Sequence, residues 1–394
     1  MERPLGAGEL PAGAEITEKM PQVARNLKGM NSSQDVAQQR LPKVAISILN
    51  WDGWRDTIEC LESVRELRYG NYLTIVVDNG SWNDSAGRIA AWARERLGSG
   101  HVLAEYSRET ALQGGEASTE QALDGFPSSS RLVVIRNQEN LGFTGGNNVA
   151  IRYALERRGA ADIVLFLNND AALEPACLTE LVSADRRADA GVVGALRRDR
   201  ATGKLLFARL DEKYPVARLF FPALFCWSRD LRHVEGDFYP SLWVCGVAML
   251  VRAETLVAVH RAKGRYLDPA LFLYYDEAEF CWAARAEGYN VVVARKALAY
   301  HKGGRSGGGR LNSLFYYYSY RNRILLATTL LPAYLKHLFH LWNSLCCLLR
   351  ASVIVFRQGL WPARAILCGL YDGYRGNTGK WRYHDAEAKR RTGA

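Results

Sequence analysis

The chain has 394 residues and is 48% hydrophobic, enough for one large core or two modest ones. Its formal charge is +10, and the segment from Arg310 to Ala394 alone sets 13 Lys plus Arg against 3 Asp plus Glu, so the last fifth of the chain carries the excess. None of the eight cysteines stands in a CxxC pair or at Cys/His spacing suited to zinc, and neither GxGxxG nor GxxxxGK(S/T) occurs. This leaves zinc modules, hydride transfer from a dinucleotide and P-loop chemistry without support.

Residues 1 to about 42 are rich in Gly, Gln, Glu and Lys without sustained periodicity and read as a mobile extension. No basic segment followed by an apolar core opens the chain, so no secretory signal is expected; a reducing, intracellular compartment with cysteines as small core residues is the default. Val44 to Leu49 is the first apolar strand, broken by Asn50-Trp51-Asp52-Gly53. Trp54, Ile58, Leu61 and Val64 then recur at helical spacing. Leu73 to Val77 is a second strand ending at Asp78-Asn79-Gly80-Ser81, with a helix to follow over about 86–97. Residues 98–130, rich in Ser, Gly and Glu, read as a long loop or insertion. Leu132 to Ile135 is a third strand, followed by a glycine-bearing loop from Asn140 to Asn148 and a helix over about 149–157. The wholly apolar run Ile163 to Leu167 then ends at Asn168-Asn169-Asp170. Beyond about residue 190 the alternation is irregular: Trp243 to Val251 reads as a strand, Asp276 to Gly288 as a helix and Asn290 to Ala294 as a strand. From Leu311 onward the chain reads as helical and aromatic. The expectation is an α/β fold, a doubly wound parallel sheet with right-handed crossovers.

In such sheets ligands bind at the carboxyl ends of the strands. Polar clusters follow apolar strands at Asn50–Asp52, Asp78–Ser81, Asn140–Asn148 and Asn168–Asp170, and would line one cleft. Taken alone, Asn168–Asp170 reads equally well as a polar turn or as a place where Asp170 holds a metal-bound diphosphate. Gly145 and Gly146 permit close backbone approach, and the helix start behind them favours an anion. The second dense cluster is Tyr274-Tyr275-Asp276-Glu277-Ala278-Glu279, where helical spacing puts Asp276 and Glu279 on one face with Glu277 turned away. Acids at a helix start also cap the macrodipole, the alternative to a catalytic role. His301 precedes the basic, glycine-rich run Lys302 to Arg310, which suits either a phosphate-binding lid or a connector.

Joined in order, these pieces resemble the family 2 glycosyltransferases of the GT-A fold, in the subgroup of bacterial rhamnosyltransferases and galactofuranosyltransferases. The resemblance is carried by VAISILNWDGWRDTIECLESV, TIVVDNGSWNDS, NQENLGFTGGNNVAIRYAL, LFLNNDAALEP, CGVAMLVRAETL, LFLYYDEAEFCWAARAEGYNVVVARKALAYH and YYYSYRNRIL, over about residues 44 to 325. It implies a Rossmann-like nucleotide-sugar-binding domain over 43–310 and a basic, amphipathic helical region over 311–394. Asp78 would contact the nucleotide base near the Asn50 turn, and Asn79, Asp84, Asn140, Gly142, Asn147 and Asn169 would surround the donor. Asp170 would bind a divalent metal, Mn²⁺ or Mg²⁺, with His301 as a second metal or diphosphate ligand. The acidic cluster matches the family's Glu-Asp-x-Asp motif, whose second acid is the general base, here Glu277. Two departures stand out: the order is Asp276-Glu277, which also leaves Asp276 as a candidate base, and Asn168 replaces the first acid of a DxD.

The reaction implied is an inverting transfer of a sugar, rhamnose by resemblance, from a dTDP- or UDP-linked donor to a glycan or polyprenyl-linked acceptor in cell-surface polysaccharide synthesis. The competing readings are a nucleotidyltransferase and a non-catalytic nucleotide-sugar-binding or membrane scaffold protein. A nucleic-acid partner rests on charge alone and is not expected; a homo-oligomer is compatible. Leu335, Leu338, Phe339, Trp342, Leu345, Cys346 and Leu349 repeat at helical spacing opposite Lys336, His340, Asn343 and Arg350. No uncharged apolar run of about 18 residues occurs, so the expectation is an amphipathic helix lying on an anionic membrane, on its cytoplasmic face, or packing as core or dimer interface, rather than a spanning helix.

Overall fold

The computed structural model describes residues 41–96, 102–207, 236–302 and 313–386. The expected N-terminal extension and most of the basic glycine-rich run at 302–310 lie outside the described residues.

The elements run β1 (Val44–Asn50), α1 (Trp54–Arg65), β2 (Tyr72–Asn79), α2 (Ser85–Arg96), β3 (Val102–Ser107), α3 (Arg108–Leu112), α4 (Ala117–Asp124), β4 (Arg131–Asn137), α5 (Gly142–Glu156), β5 (Ile163–Asn168), β6 (Ala171–Leu173), α6 (Cys177–Ala188), β7 (Ala190–Asp199) and β8 (Leu205–Phe207). There follow β9 (Phe238–Pro240), β10 (Ala248–Arg252), α7 (Ala253–Lys263), α8 (Asp276–Ala286), β11 (Asn290–His301), α9 (Ser313–Leu330), α10 (Ala333–Gln358) and α11 (Leu360–Arg375). Among the described residues one sheet has the order β3-β4-β2-β1-β5-β10-β7-β11-β6, with β8 on β7 and β9 on β11. The half from β3 to β5 is parallel, as the apolar runs predict. The other half is mixed: β10 runs antiparallel to β5 and β7, and β6 antiparallel to β11.

The parallel half puts the ends of β1, β2, β4 and β5 on one edge. Asn50 sits opposite Asp78, and Asn79 opposite Asn137. Side chains alternate across the sheet, so each face acquires its own buried cluster under the helices: Ile46, Val76 and Leu165 on one, Ile75, Val133 and Phe166 on the other.

Several boundaries differ from the sequence reading. Residues 102–130 are not a loop: Val102–Ser107 pairs in parallel with β4 as the edge strand, and two short helices follow. The edge position explains the miss, because β3 alternates exposed and buried residues and lacks a continuous apolar run. Trp243 to Val247 is irregular, and β10 begins at Ala248. α5 begins at Gly142, so Gly145 and Gly146 lie inside a helix rather than a loop. A Cβ at Gly146 would lie 2.4 Å from Leu49 Cδ1; this glycine serves close packing of α5 on β1.

The C-terminal helices pack around α8 and the segment before it. Phe272 joins the cluster of Tyr316, Tyr317, Tyr318 and Trp381, while Leu271 and Ala278 join Ile324, Leu326 and Phe339. In α10 the buried stripe is Phe339, Asn343, Cys347, Ala351 and Ile354, so the leucine stripe is not its core-packing face. Leu338, Leu341, Leu345, Leu348, Leu349 and Val353 face outward, and Phe356 is 90% exposed. Asn343, read from sequence as facing away from the apolar side, is 1% exposed and accepts from Arg323. α10 is also long and apolar enough to cross a membrane by length and composition, where the count of uncharged residues had argued against this.

Candidate active site

The site is built from the strand ends upward. Asn50 is fully buried at the end of β1; its Nδ2 donates to Asp78 Oδ1 (2.7 Å) and its Oδ1 accepts from Thr57 (2.8 Å). Ser81 Oγ donates to the same Asp78 oxygen (2.6 Å). Asp78 is thus a carboxylate held at the mouth of a cleft of about 410 Å³ that Asn140 also lines. Asn79 is turned inward: Nδ2 donates to Asn140 Oδ1 (3.0 Å) and Gly142 O (3.0 Å), and Oδ1 accepts from Asn137 (3.0 Å) and the Leu141 amide (3.2 Å). Both ends of that amide are used in shaping the 137–142 loop. Asn147 is likewise buried, between Ser47 (2.8 Å) and Phe143 O (2.9 Å). Asp84 is exposed at the start of α2 with φ +53°, where it accepts at its carbonyl from Arg88 N–H (3.1 Å); its neighbour Asn83 lines a second cleft of about 590 Å³ with Trp54, Arg200 and Lys302.

Gly142 has φ +75°, and a Cβ there would lie 2.4 Å from Phe272 O. The amide of Phe143 donates to that same carbonyl (2.7 Å). The first turn of α5, expected to attract an anion, therefore receives a backbone carbonyl instead. The contact ties α5 to the segment leading into the acidic helix.

At the end of β5, Asn169 Nδ2 donates to Thr57 Oγ1 (3.2 Å), anchoring the motif to α1. Asp170 Oδ1 lies 2.9 Å from His301 Nε2, which is 3.4 Å from Asn168 Nδ2. The antiparallel β6–β11 pairing makes this contact: His301 ends β11 opposite Ala171, next to Asp170. A carboxylate and an imidazole converging at one point suit a divalent ion of the manganese type. Among the described residues no three His, Cys, Asp or Glu side chains group as a metal site. An ion held by Asp170 and His301 would take its other ligands from a diphosphate and water.

Asp276, Glu277 and Glu279 occupy the first turn of α8. Glu279 is turned into the protein and pairs with Arg265 (3.1 Å), which also holds Asp268 (2.8 Å); it is a structural acid. Asp276 is 4% exposed; burial, then the charge of Glu277, raises its pKa well above the usual carboxylate range. Burial raises Glu277 as well, opposed by hydrogen bonds from its own backbone and from Asp276, and by the charge of Arg197. Burial thus pushes both acids up, with the Glu277 charge pushing Asp276 further and Arg197 holding Glu277 back. Gly246 abuts Glu277, with Glu277 Cδ 3.8 Å from where a Cβ would stand, and the next residue accepts at Val247 O from the Asn168 amide (3.0 Å). Two consecutive backbone positions thereby link the acid pair to the Asn168–Asp170 motif.

Three residues given no role from sequence complete the site. Arg197, at the end of β7, is the cation that opposes the rise in the Glu277 pKa. Arg321 and Asn322, both fully buried on α9, hold the segment before α8: Arg321 donates to Ala270 O (3.1 Å) and Leu271 O (2.8 Å), and Asn322 to Leu271 O (2.9 Å), Leu273 O (2.8 Å) and Tyr274 O (2.8 Å). That segment contains Phe272, Tyr274 and Tyr275 at positive φ, a conformation that costs of order 1–3 kcal/mol per residue unless its surroundings impose it. The signal was the adjacent Arg-Asn pair in an otherwise apolar helix.

Residues 113–239 match the family model Glycosyl transferase family 2. The low-salt glycan biosynthesis hexosyltransferase Agl10 of Haloferax volcanii is 23% identical over 249 residues, 61% of this chain and 75% of that protein. Among solved structures, the mannosyltransferase PcManGT from Pyrobaculum calidifontis, in complex with GDP-Man and Mn²⁺, superposes with a TM-score of 0.51 at 13% identity over 90% of this chain and 93% of its own. S. aureus TarS 1-349, in complex with UDP-GlcNAc, gives a TM-score of 0.50 at 12% identity over 85% and 81%. The fold is the GT-A fold with a helical C-terminal region, as expected.

Proposed function

We propose that this chain is an inverting hexosyltransferase that moves a sugar from a nucleoside diphosphate donor to a hydroxyl of a glycan or polyprenyl-linked acceptor in cell-surface polysaccharide synthesis. The observation that carries the reading is the backbone link through Gly246 and Val247. It brings a buried acid pair beside the Asn168–Asp170 motif at the carboxyl edge of a parallel sheet.

Glu277, whose charged form Arg197 favours against the cost of burial, accepts the proton of the acceptor hydroxyl. The acceptor oxygen bonds to the anomeric carbon as the bond from that carbon to the diphosphate oxygen breaks, and the electron pair leaves with the nucleoside diphosphate. Attack from the side opposite the leaving group inverts the anomeric configuration. When bound, a divalent ion at Asp170 and His301 would neutralise charge on the departing diphosphate. Asp78, with its carboxylate pre-ordered by Asn50 and Ser81, accepts from the base. Manganese and nucleotide-sugar complexes of the two fold relatives support the donor class. The resemblance of the motifs supports rhamnose, from a dTDP or UDP donor, as the sugar.

The outward leucine face of α10 and the five basic residues of α10 and α11 against Asp372 support an anionic membrane on the cytoplasmic side as the place of work. One face of α10 is buried against the protein, which favours a helix lying in the interface over one that spans.

The test is a panel of nucleotide sugars, including dTDP-rhamnose, UDP-glucose and GDP-mannose, with Mn²⁺ and a polyprenyl-linked acceptor. Transfer with release of nucleoside diphosphate and an inverted anomer in the product is expected. A retained anomer would rule out the single displacement, and a protein that binds no donor would sink the enzyme reading.

A further inference from the structure

The 410 Å³ cleft at Asp78 has walls from opposite ends of the chain. Its inner wall is Asp78, Ser81, Asn137 and Asn140, from the ends of β2 and β4; its outer wall carries Lys380 and Asp385, beyond α11. That outer segment is firmly held. Gly379 N–H donates to Ala270 O (2.8 Å), and Gly379 O accepts from Arg321 Nη1 (2.6 Å). Trp381 stacks on Tyr317, with ring centroids 4.5 Å apart, and its backbone N–H donates to Tyr318 Oη (2.9 Å). His384, 2% exposed, lies 4.8 Å from the ring of Trp51 on the β1 turn and 5.2 Å from that of Phe272. The segment therefore spans from the stretch before α8, at Ala270 and Phe272, to the turn after β1 at Trp51. Lys380 and Asp385, paired at 2.7 Å, remain part-exposed at the cleft.

We propose that residues 376–386 form the outer wall of the nucleobase pocket and that Lys380, oriented by Asp385, selects the base. The inference rests on the reading of this cleft as the nucleoside site. The chemistry follows from what each wall offers. Asp78 is an acceptor, with Asn50 and Ser81 already donating to one of its oxygens, so it suits a ring N–H. The Lys380 ammonium has donors alone and suits a ring carbonyl. Uracil, thymine and guanine present a ring N–H beside a carbonyl. Adenine presents neither.

Isothermal titration of the full-length protein with UDP, dTDP, GDP and ADP, and with inorganic pyrophosphate, all with Mn²⁺, separates the possibilities. The wild type is expected to bind one or more of UDP, dTDP and GDP more tightly than ADP. Lys380→Ala should shrink that preference by about tenfold while leaving pyrophosphate affinity and the melting temperature unchanged, as loss of one charged hydrogen bond predicts. A preference that survives in Lys380→Ala, or an equal loss toward pyrophosphate, overturns the proposal while the donor reading stands. A wild type that binds none of the four nucleotides overturns the donor reading and this proposal with it.

Discussion

At Asp276 and Glu277 two adjacent acids are both raised by burial. Asp276 is the more deeply buried, and its neighbour's charge adds to the cost of ionising it. Two measurements follow. Glu277→Gln should lower kcat by roughly 10²- to 10⁴-fold with donor affinity retained, whereas Asp276→Asn should keep much of the activity. The reverse ranking would assign the base to Asp276. In the wild type, kcat/KM should rise with pH through a pKa above the ordinary glutamate value, because Glu277 works deprotonated and burial raises it. Stability carries the opposite sign. An acid whose folded pKa is raised holds its proton longer in the native state, so stability falls as pH climbs from the unfolded to the folded pKa. Asp276→Asn should flatten that fall and melt higher than wild type at pH 8; an unchanged melting profile would contradict a buried, protonated Asp276. The Asp170–His301 pair makes a different prediction. With one carboxylate in place of two, Asp170→Asn should weaken Mn²⁺-dependent nucleoside diphosphate binding by about tenfold or more, and titration with and without Mn²⁺ reads the difference.

Among the elements, α9 decides the geometry of the site without lining it. Its Arg321 and Asn322 satisfy the carbonyls of a segment with three residues at positive φ, which enters α8 just before the acids. Asn322→Ala would leave buried carbonyls unpaired at a cost of roughly 1–3 kcal/mol each and would release the segment. A lower melting temperature together with a kcat loss larger than any change in donor affinity is expected. Loss of stability with kcat intact would reduce Asn322 to a structural role. Gly142 approaches the same segment from the other side, where a Cβ would meet Phe272 O, so α5 and α9 clamp it between them.

On the scale of the whole molecule, charge and apolar surface coincide at the C-terminus. α10 turns Leu341, Leu345, Leu348, Leu349 and Phe356 outward, an apolar face far larger than scattered surface leucines would make. Flotation with anionic liposomes at low salt should carry the protein upward, and Leu345→Glu with Phe356→Glu should abolish it without lowering the melting temperature. Binding retained in that double variant would point to another surface.

The apolar runs of β1, β2, β4 and β5 and the polar residues that end them were legible because strands buried on both faces leave a continuous local record. The acid cluster and His301 were legible as residues and, through the resemblance, as roles. Local pattern also misled in particular places. β3 was lost because an edge strand is only half buried, and Asn343 was put on the wrong side of α10 because the face that packs is chosen by α9 and α11, not by the helix's own periodicity. Asn79 and Asn147 resemble ligands in a linear motif, yet their amides are consumed within the protein. The sequence by itself determined the alternation of elements and the chemistry available at the strand ends, since both are written in neighbouring residues. How burial shifts the two acids, which amides face inward, and that Lys380 and Asp385 wall the same cleft as Asp78 were decided by the tertiary structure. Desolvation, hydrogen-bond partners and cavity walls are properties of what the fold brings together.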